Sequence, residues 1–293
     1  MAFNYQHVAP MATLLWVIAL LFPTSFAQAQ GQASRVVVLA TKDSPELQSL
    51  VVGMQSTPRI DVTQSMIMSQ NICNEDASIV AFGEEMASLV SESCPSRNIV
   101  VLASSYRYNF KAGQLGAGSW GYYLDQPLTE QVRHAAMNMP SIRTLGILYT
   151  DNDANKVEIE AIAKGDWRIR IQLVRVQKGQ VVAQIMRDLY QSVDAVLITG
   201  NSDIWSLSDF KTYLVLGMRQ GKIMIGGYNY IYMNRGSISA VHSDFRSMGE
   251  DIGKQIISRE PRHGMAFYKR RQIVTNDLLA ARYGIYIGNN NEW

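Results

Sequence analysis

The residues of this 293-residue chain that could do chemistry are few and scattered. Beyond residue 29 the histidines are His134, His242 and His263, with no spacing that would set two of them on one metal ion. Cys73 and Cys94 have neither the further cysteines nor the paired histidines of a metal site. A GxxxxGK[ST] phosphate loop, an HExxH helix and a GxSxG nucleophile elbow are all absent. Gly116, Gly118 and Gly121 do spell GxGxxG, but a dinucleotide site needs that motif directly between a strand and a helix. Here the preceding strand-like run ends near Ala103 and the next helical run starts near Leu128, so the match reads as chance in a glycine-rich segment. No catalytic residue, metal or cofactor is expected. What remains is chemistry suited to binding. Glu84 and Glu85 follow Gly83, and Trp120, Tyr122 and Tyr123 form an aromatic group. Asn201 and Asp203 follow an apolar run, Tyr228 and Asn229 follow another, and His242 follows a third.

Such residues can act together only if the elements before them end at one place. Val36–Ala40, Ser78–Phe82, Ile99–Ala103, Leu145–Tyr149, Ala195–Ile198 and Ile223–Ile225 are short runs that are apolar throughout, the pattern of parallel strands buried on both faces. Helical spacing links Leu128, Val132, Ala135 and Met139, then Val182, Ile185, Met186 and Leu189. It links Leu207, Phe210 and Leu214, then Met248, Ile252 and Ile256 in the same way. The alternation predicts an α/β fold of two doubly wound, Rossmann-like lobes. Residues 104–126, rich in Gly, Tyr and Ser with no helical period, interrupt it and read as the first crossing between the lobes. In open α/β sheets ligands sit at the carboxyl ends of strands, so the residues named above are the pocket candidates.

The bulk properties narrow the class. With 47% hydrophobic residues the chain can bury a core, which excludes disorder. Basic and acidic residues nearly balance at 27 and 25, net +2, so no nucleic-acid partner is expected. Met11–Phe22 is apolar but shorter than the ~20 residues a spanning helix needs. Ala27-Gln28-Ala29 follows it and fits a secretory cleavage site. Residues 1–29 are therefore expected to be a signal peptide cleaved after Ala29, with an uncleaved anchor as the other option. Export permits a disulfide. The segment between the cysteines reads as a strand, Ser78–Phe82, then a helix, Glu84–Ser93, a unit whose ends return close together. A Cys73–Cys94 bond would close a loop of about 22 residues and add about 3 kcal/mol on the loop-entropy model. Two buried free thiols are the alternative.

The stretch from Gln126 to Gly253 resembles the ABC transporter substrate-binding family whose better-known members take up tryptophan and other aromatic amino acids. Gln126-Pro127-Leu128, then Met139-Pro140 and the run Ile142–Tyr149, resemble that family's helix, proline and "kkIGvLYn" strand. Val193-Asp194-Ala195-Val196-Leu197-Ile198 resembles "vDAiyvp", and Lys222-Ile223-Met224-Ile225 resembles "kIPvf". Arg235-Gly236 through Val241, with Asp244-Phe245 and Met248-Gly249, resembles "rGalaavg.dyy.lG". Ile273-Val274-Thr275-Asn276 with Ala280-Ala281 and Tyr283-Gly284 resembles "lvvN…A..lGl", and in the first half Asp76–Gly83 resembles "pDlIvaiGT".

The resemblance implies the type I periplasmic binding protein fold. Residues 30–122 with 228–264 would form one lobe, and residues 123–227 with 265–293 the other. It implies a periplasmic, monomeric, non-enzymatic solute binder that delivers a small polar or aromatic solute to a membrane permease of an ABC transporter. The alternative is a module of the same fold serving a membrane sensor or envelope assembly. The implied ligand contacts are Glu84, Trp120, Tyr122, Asn201, Asp203, Tyr228, Asn229 and His242. Each has a plainer reading: a solvated helix start for Glu84, packing between lobes for the aromatics, turn and capping roles for Asn201 and Asp203. Glu84 stands where the family carries Thr. With Glu85 it would repel an anionic ligand and attract a cationic one. The basic stretch from Arg259 to Arg271 reads as a solvated face.

Overall fold

The apolar runs become strands of two parallel sheets, each covered by helices on both faces; all are inner strands except Ile223–Ile225, which lies in the edge strand of the second sheet. The computed structural model describes residues 33–69, 71–105, 118–151, 155–227 and 230–288. The expected signal peptide, Tyr228 and Asn229 lie outside the described residues. The chain opens with β1 (Ser34–Ala40), α1 (Pro45–Gln55), β2 (Ile60–Ser65), β3 (Ser78–Phe82), α2 (Glu84–Ser93), β4 (Ile99–Ala103) and β5 (Trp120–Tyr123). Next come α3 (Leu128–Asn138), β6 (Thr144–Tyr149), α4 (Lys156–Lys164), β7 (Arg170–Arg175), α5 (Val182–Leu189) and β8 (Ala195–Ile198). They are followed by α6 (Leu207–Arg219), β9 (Ile223–Gly226) and α7 (Tyr230–Arg235). The chain then runs through β10 (Ser239–Ser243), α8 (Phe245–Ser258), β11 (Gly264–Phe267), β12 (Arg271–Thr275) and α9 (Asp277–Arg282).

The first sheet has the order β11-β5-β4-β3-β1-β2, and the second β7-β6-β8-β9, with every pairing parallel. β10 and β12 form an antiparallel pair of their own. The two-sheet α/β architecture expected from the sequence is present. Side chains alternate across each sheet as strand geometry requires. Val36, Val38 and Ala40 face α1 and α8, while Val37 and Leu39 face α2. The second sheet buries Leu145 and Ile147 under α3 and α4, and Leu148 and Val196 under α5 and α6. Tyr232 of α7 packs with Phe210 in that second core, whereas the expected division carried residues 228–264 with the first lobe.

Residues 104–126 are not wholly irregular, as the sequence had suggested. Trp120–Tyr123 is a strand parallel to β4, and Gly121 is needed there because a Cβ would lie 1.8 Å from the Val101 carbonyl oxygen. The sequence pattern also passes over β2 and β7. They lie at sheet edges, and their mixed burial breaks the all-apolar signature of the inner strands. Cys73 and Cys94 form the disulfide, Cα atoms 5.3 Å apart, tying the turn before β3 to the end of α2.

Helix starts follow local capping chemistry. Ser44 caps α1 by accepting from the Leu47 N–H, with Pro45 in the first turn, and Asp244 caps α8 by accepting from Ser247. α1 and α8 touch through glycines. A Cβ on Gly53 would lie 2.0 Å from the Arg246 carbonyl oxygen, and one on Gly249 2.0 Å from that of Leu50.

The chain passes between the first sheet and the rest of the fold three times, after β5, between β10 and α8 and between β11 and β12, and one side chain reaches all three passages. Gln126, buried in the first, donates through Nε2 to Ser243 Oγ in the second (2.8 Å) and to the Tyr268 carbonyl in the third (3.0 Å). Ser243 Oγ donates in turn to the Leu124 carbonyl at 3.3 Å. Close by, Gln131 on α3 grips β10 by donating to the Val241 carbonyl (2.6 Å) and accepting from the Val241 N–H (2.9 Å).

Candidate functional site: a cleft between the two sheets

The carboxyl ends of the first sheet's strands border a cleft of about 650 Å³, faced by helices α6 and α7 of the second. From the first sheet, Thr41, Lys42, Asp43 and Ser44 follow β1, and Glu46 sits in the first turn of α1. Gly83, Glu84 and Glu85 follow β3, Ser104 follows β4, and Leu124 follows β5. The opposite wall carries Leu207 at the start of α6, with Ile231 and Asn234 on α7, and Phe245, which begins α8 and packs in the first sheet's core, also borders the space. Phe82 supplies a second ring. A volume of this size suits a small organic solute.

Glu84 is held by its own lobe. Its Oε1 accepts from the Ser104 N–H at 3.1 Å. Gly83 precedes it at φ 95, a conformation glycine adopts without penalty, and this turns the chain from strand to helix with no side-chain cap. Next to this turn Asp125 is 3% exposed and accepts from both the N–H (2.6 Å) and the hydroxyl of Ser105. Burial pushes its carboxyl up to about 6, the Ser105 hydrogen bonds pull it down, and the charge of Glu84 pushes it up again.

The other expected contacts are placed as follows. Trp120 opens β5 at its amino end, away from the strand ends that border the cleft. Its ring carries the Arg262 guanidinium 5.5 Å from the centroid, so the cation it meets belongs to the chain itself. Tyr122 packs on the α8 side against Tyr268, ring centroids 5.1 Å apart, and its hydroxyl accepts from Arg262. Neither ring borders this cleft. They read as crossing-loop residues in the sequence because their strand is only four residues long.

Asn201 lies after β8, donating to Thr150 Oγ1 (3.0 Å) and accepting from the Asp203 N–H (3.0 Å). It therefore joins the loops after β6 and β8. His242 lies within β10, 2% exposed, beside the charge of Glu46 and the backbone of Gly227. Burial lowers its imidazole to about 4, against the opposing pull of those two neighbours. Of the expected contacts, Glu84 borders the cleft, while Asn201, Asp203 and His242 are not among its lining residues. Glu46, Leu207, Ile231, Asn234 and Phe245 border it without having been singled out. The signal for them was position: each lies in a helix that follows a strand's carboxyl end.

Solved structures similar to this chain include the following three, each from a bacterium. An ABC domain in complex with L-Trp from Streptococcus pneumonia aligns at TM-score 0.55 and 17% identity. A ligand-free, open substrate-binding protein with adhesive properties from Clostridium difficile aligns at 0.63 and 13%, and a conserved domain protein from Vibrio cholerae at 0.53 and 16%. Each alignment covers 88% of this chain and 97% of the other. The chain has the type I periplasmic-binding-protein fold. No family model matches the sequence, and no curated protein matches it either. Among the described residues no helix is long and apolar enough to cross a membrane.

Proposed function

We propose that this chain is an exported solute-binding protein that takes a small solute into the cleft and hands it to the membrane permease of an ABC-type uptake system. The observation that carries the reading is the cleft's double lining. Strand ends of the first sheet supply one wall, and α6 and α7 of the second supply the other. A solute touching both walls would favour the arrangement in which they close on it. The similar solved structures, one a substrate-binding protein and one holding L-Trp, support the same reading. Binding without turnover, a monomeric state, export through residues 1–29 and a periplasmic location belong to this proposal.

A thermal-shift screen of the purified protein against amines, amino acids, sugars and nucleosides tests it. A solute at a hundred times its dissociation constant adds about 2.7 kcal/mol of stability, a visible rise in Tm. A hit that contracts the protein in small-angle X-ray scattering and is recovered chemically unchanged supports the reading. A hit that is converted to product overturns it, as does a well-folded protein that no solute stabilises.

A further inference from the structure

We infer that the cleft selects an organic cation, a protonated amine on an apolar body, and rejects carboxylates. This rests on the solute-binding reading above and names the ligand class of that site.

The first observation is charge. Asp43, Glu46, Glu84 and Glu85 border the cleft against a single basic residue, Lys42. The amino ends of α1 and α2 also border it, and each helix end contributes roughly half a positive charge. Together with Lys42 they leave the carboxylates in excess by about two charges. Among the described residues, Asp43, Glu84 and Glu85 take part in none, whereas Glu75, Glu130, Asp151, Glu250 and Asp251 are all paired.

The second observation lies just behind that wall, at a carboxylate that is not itself among the lining residues. Asp125 is buried beside Glu84, and among the described residues it too is in no salt bridge. Its two bonds from Ser105 satisfy its oxygens but not its charge. The third is the apolar surface. Phe82 and Phe245 border the same space, and a phenyl face attracts a cation as the carboxylates do. Leu207 and Ile231 across the cleft give an aliphatic or aromatic body somewhere to lie. A bare metal ion does not fit: among the described residues no three His, Cys, Asp or Glu side chains are grouped to hold one, and the volume is that of an organic molecule.

The experiment is isothermal titration of the purified protein with probes matched in skeleton, namely phenethylamine, 2-phenylethanol and 3-phenylpropanoate, with agmatine as an aliphatic dication. The amines are expected to bind, the alcohol at least tenfold more weakly, and the carboxylate not at all, with amine affinity falling as salt rises. Glu84→Gln and Glu85→Gln should each weaken the amines about tenfold, the loss of one charged hydrogen bond. Glutamine at 84 keeps an oxygen for the Ser104 N–H, and an unchanged Tm in each variant separates lost binding from lost folding. Alcohol or carboxylate binding as tight as amine binding overturns the charge selection and leaves the solute-binding reading standing. Amines whose affinity neither substitution changes overturn the inference as well. Silence from every amine overturns it too, and the wider solute screen then decides whether the cleft reading falls with it.

Discussion

Replacing Gly249 with alanine tests whether α1 and α8 meet backbone to backbone. The added methyl would sit 2.0 Å from the Leu50 carbonyl oxygen and 2.9 Å from the Met54 nitrogen. Non-bonded heavy atoms rest at about 3.5 Å, so the helices must part by about 1.5 Å at that point. The obstacle is main chain, which cannot rotate aside as a side chain would. Overpacking costs about 1–3 kcal/mol, and a rigid obstacle belongs at the upper end. Each kcal/mol lowers Tm by about 2–4 °C in a chain of this size, so the expected fall is about 6–12 °C. Scanning calorimetry reads it directly. Gly53→Ala, aimed 2.0 Å from the Arg246 carbonyl oxygen, should cost a similar amount. Helices already parted by one methyl accommodate the second more easily, so the double variant should lose less than the sum. A fall under about 1 °C for Gly249→Ala would refute the close contact, and strict additivity would refute the shared seam.

Acid should weaken the fold through its buried imidazoles. His134 and His242 sit at about 4 when folded against 6.5 free, so between those pH values the unfolded chain takes up protons that the folded chain refuses. Each imidazole removes about 3 kcal/mol as pH falls through that window. Asp125, raised to about 6 from 3.8, acts the other way and adds about 3 kcal/mol as pH falls past 6. Unfolding titrations between pH 7.5 and 4.5 should therefore show a net acid loss, made steeper by Asp125→Asn; a flat profile would contradict the burial of both histidines. Reducing the Cys73–Cys94 bond should cost about 3 kcal/mol in denaturant melts, and an unchanged midpoint would mean the loop is held without it. Gln126→Ala strips the Tyr268 carbonyl of its donor and should cost about 1–3 kcal/mol, with Gln126→Glu no better because a carboxylate cannot donate to a carbonyl.

Much of the fold is written in runs such as VVVLA, SIVAF and IVVLA, because a strand buried on both faces has no room for polar residues. The strand Ser78–Phe82 and the helix Glu84–Ser93 fall where the apolar run and the acidic helix start place them. The edge strands β2 and β7 escape that logic, since a half-wet strand reads like a loop. The site is less legible. Glu84 is readable because it directly follows a strand. Phe245 and Asn234 are not, since a helix residue's exposure to a cleft depends on how the helix lies on a sheet formed by distant segments. Trp120 shows another side of this: an aromatic in a glycine-rich segment suggests a ligand, and the cation over its ring here is Arg262.

The meeting of three crossings on Gln126 has a mechanical meaning. Two bodies joined at three separated points can only shear or stay fixed, but joined at one pin they can turn. Drawing all three threads onto one buried amide makes that amide the pin. Closure of the proposed solute binder would then be a rotation about that pin, with Leu207 and Asn234 on the moving wall. In that proposal the grip on a solute depends on how freely the pin turns as well as on what the solute touches.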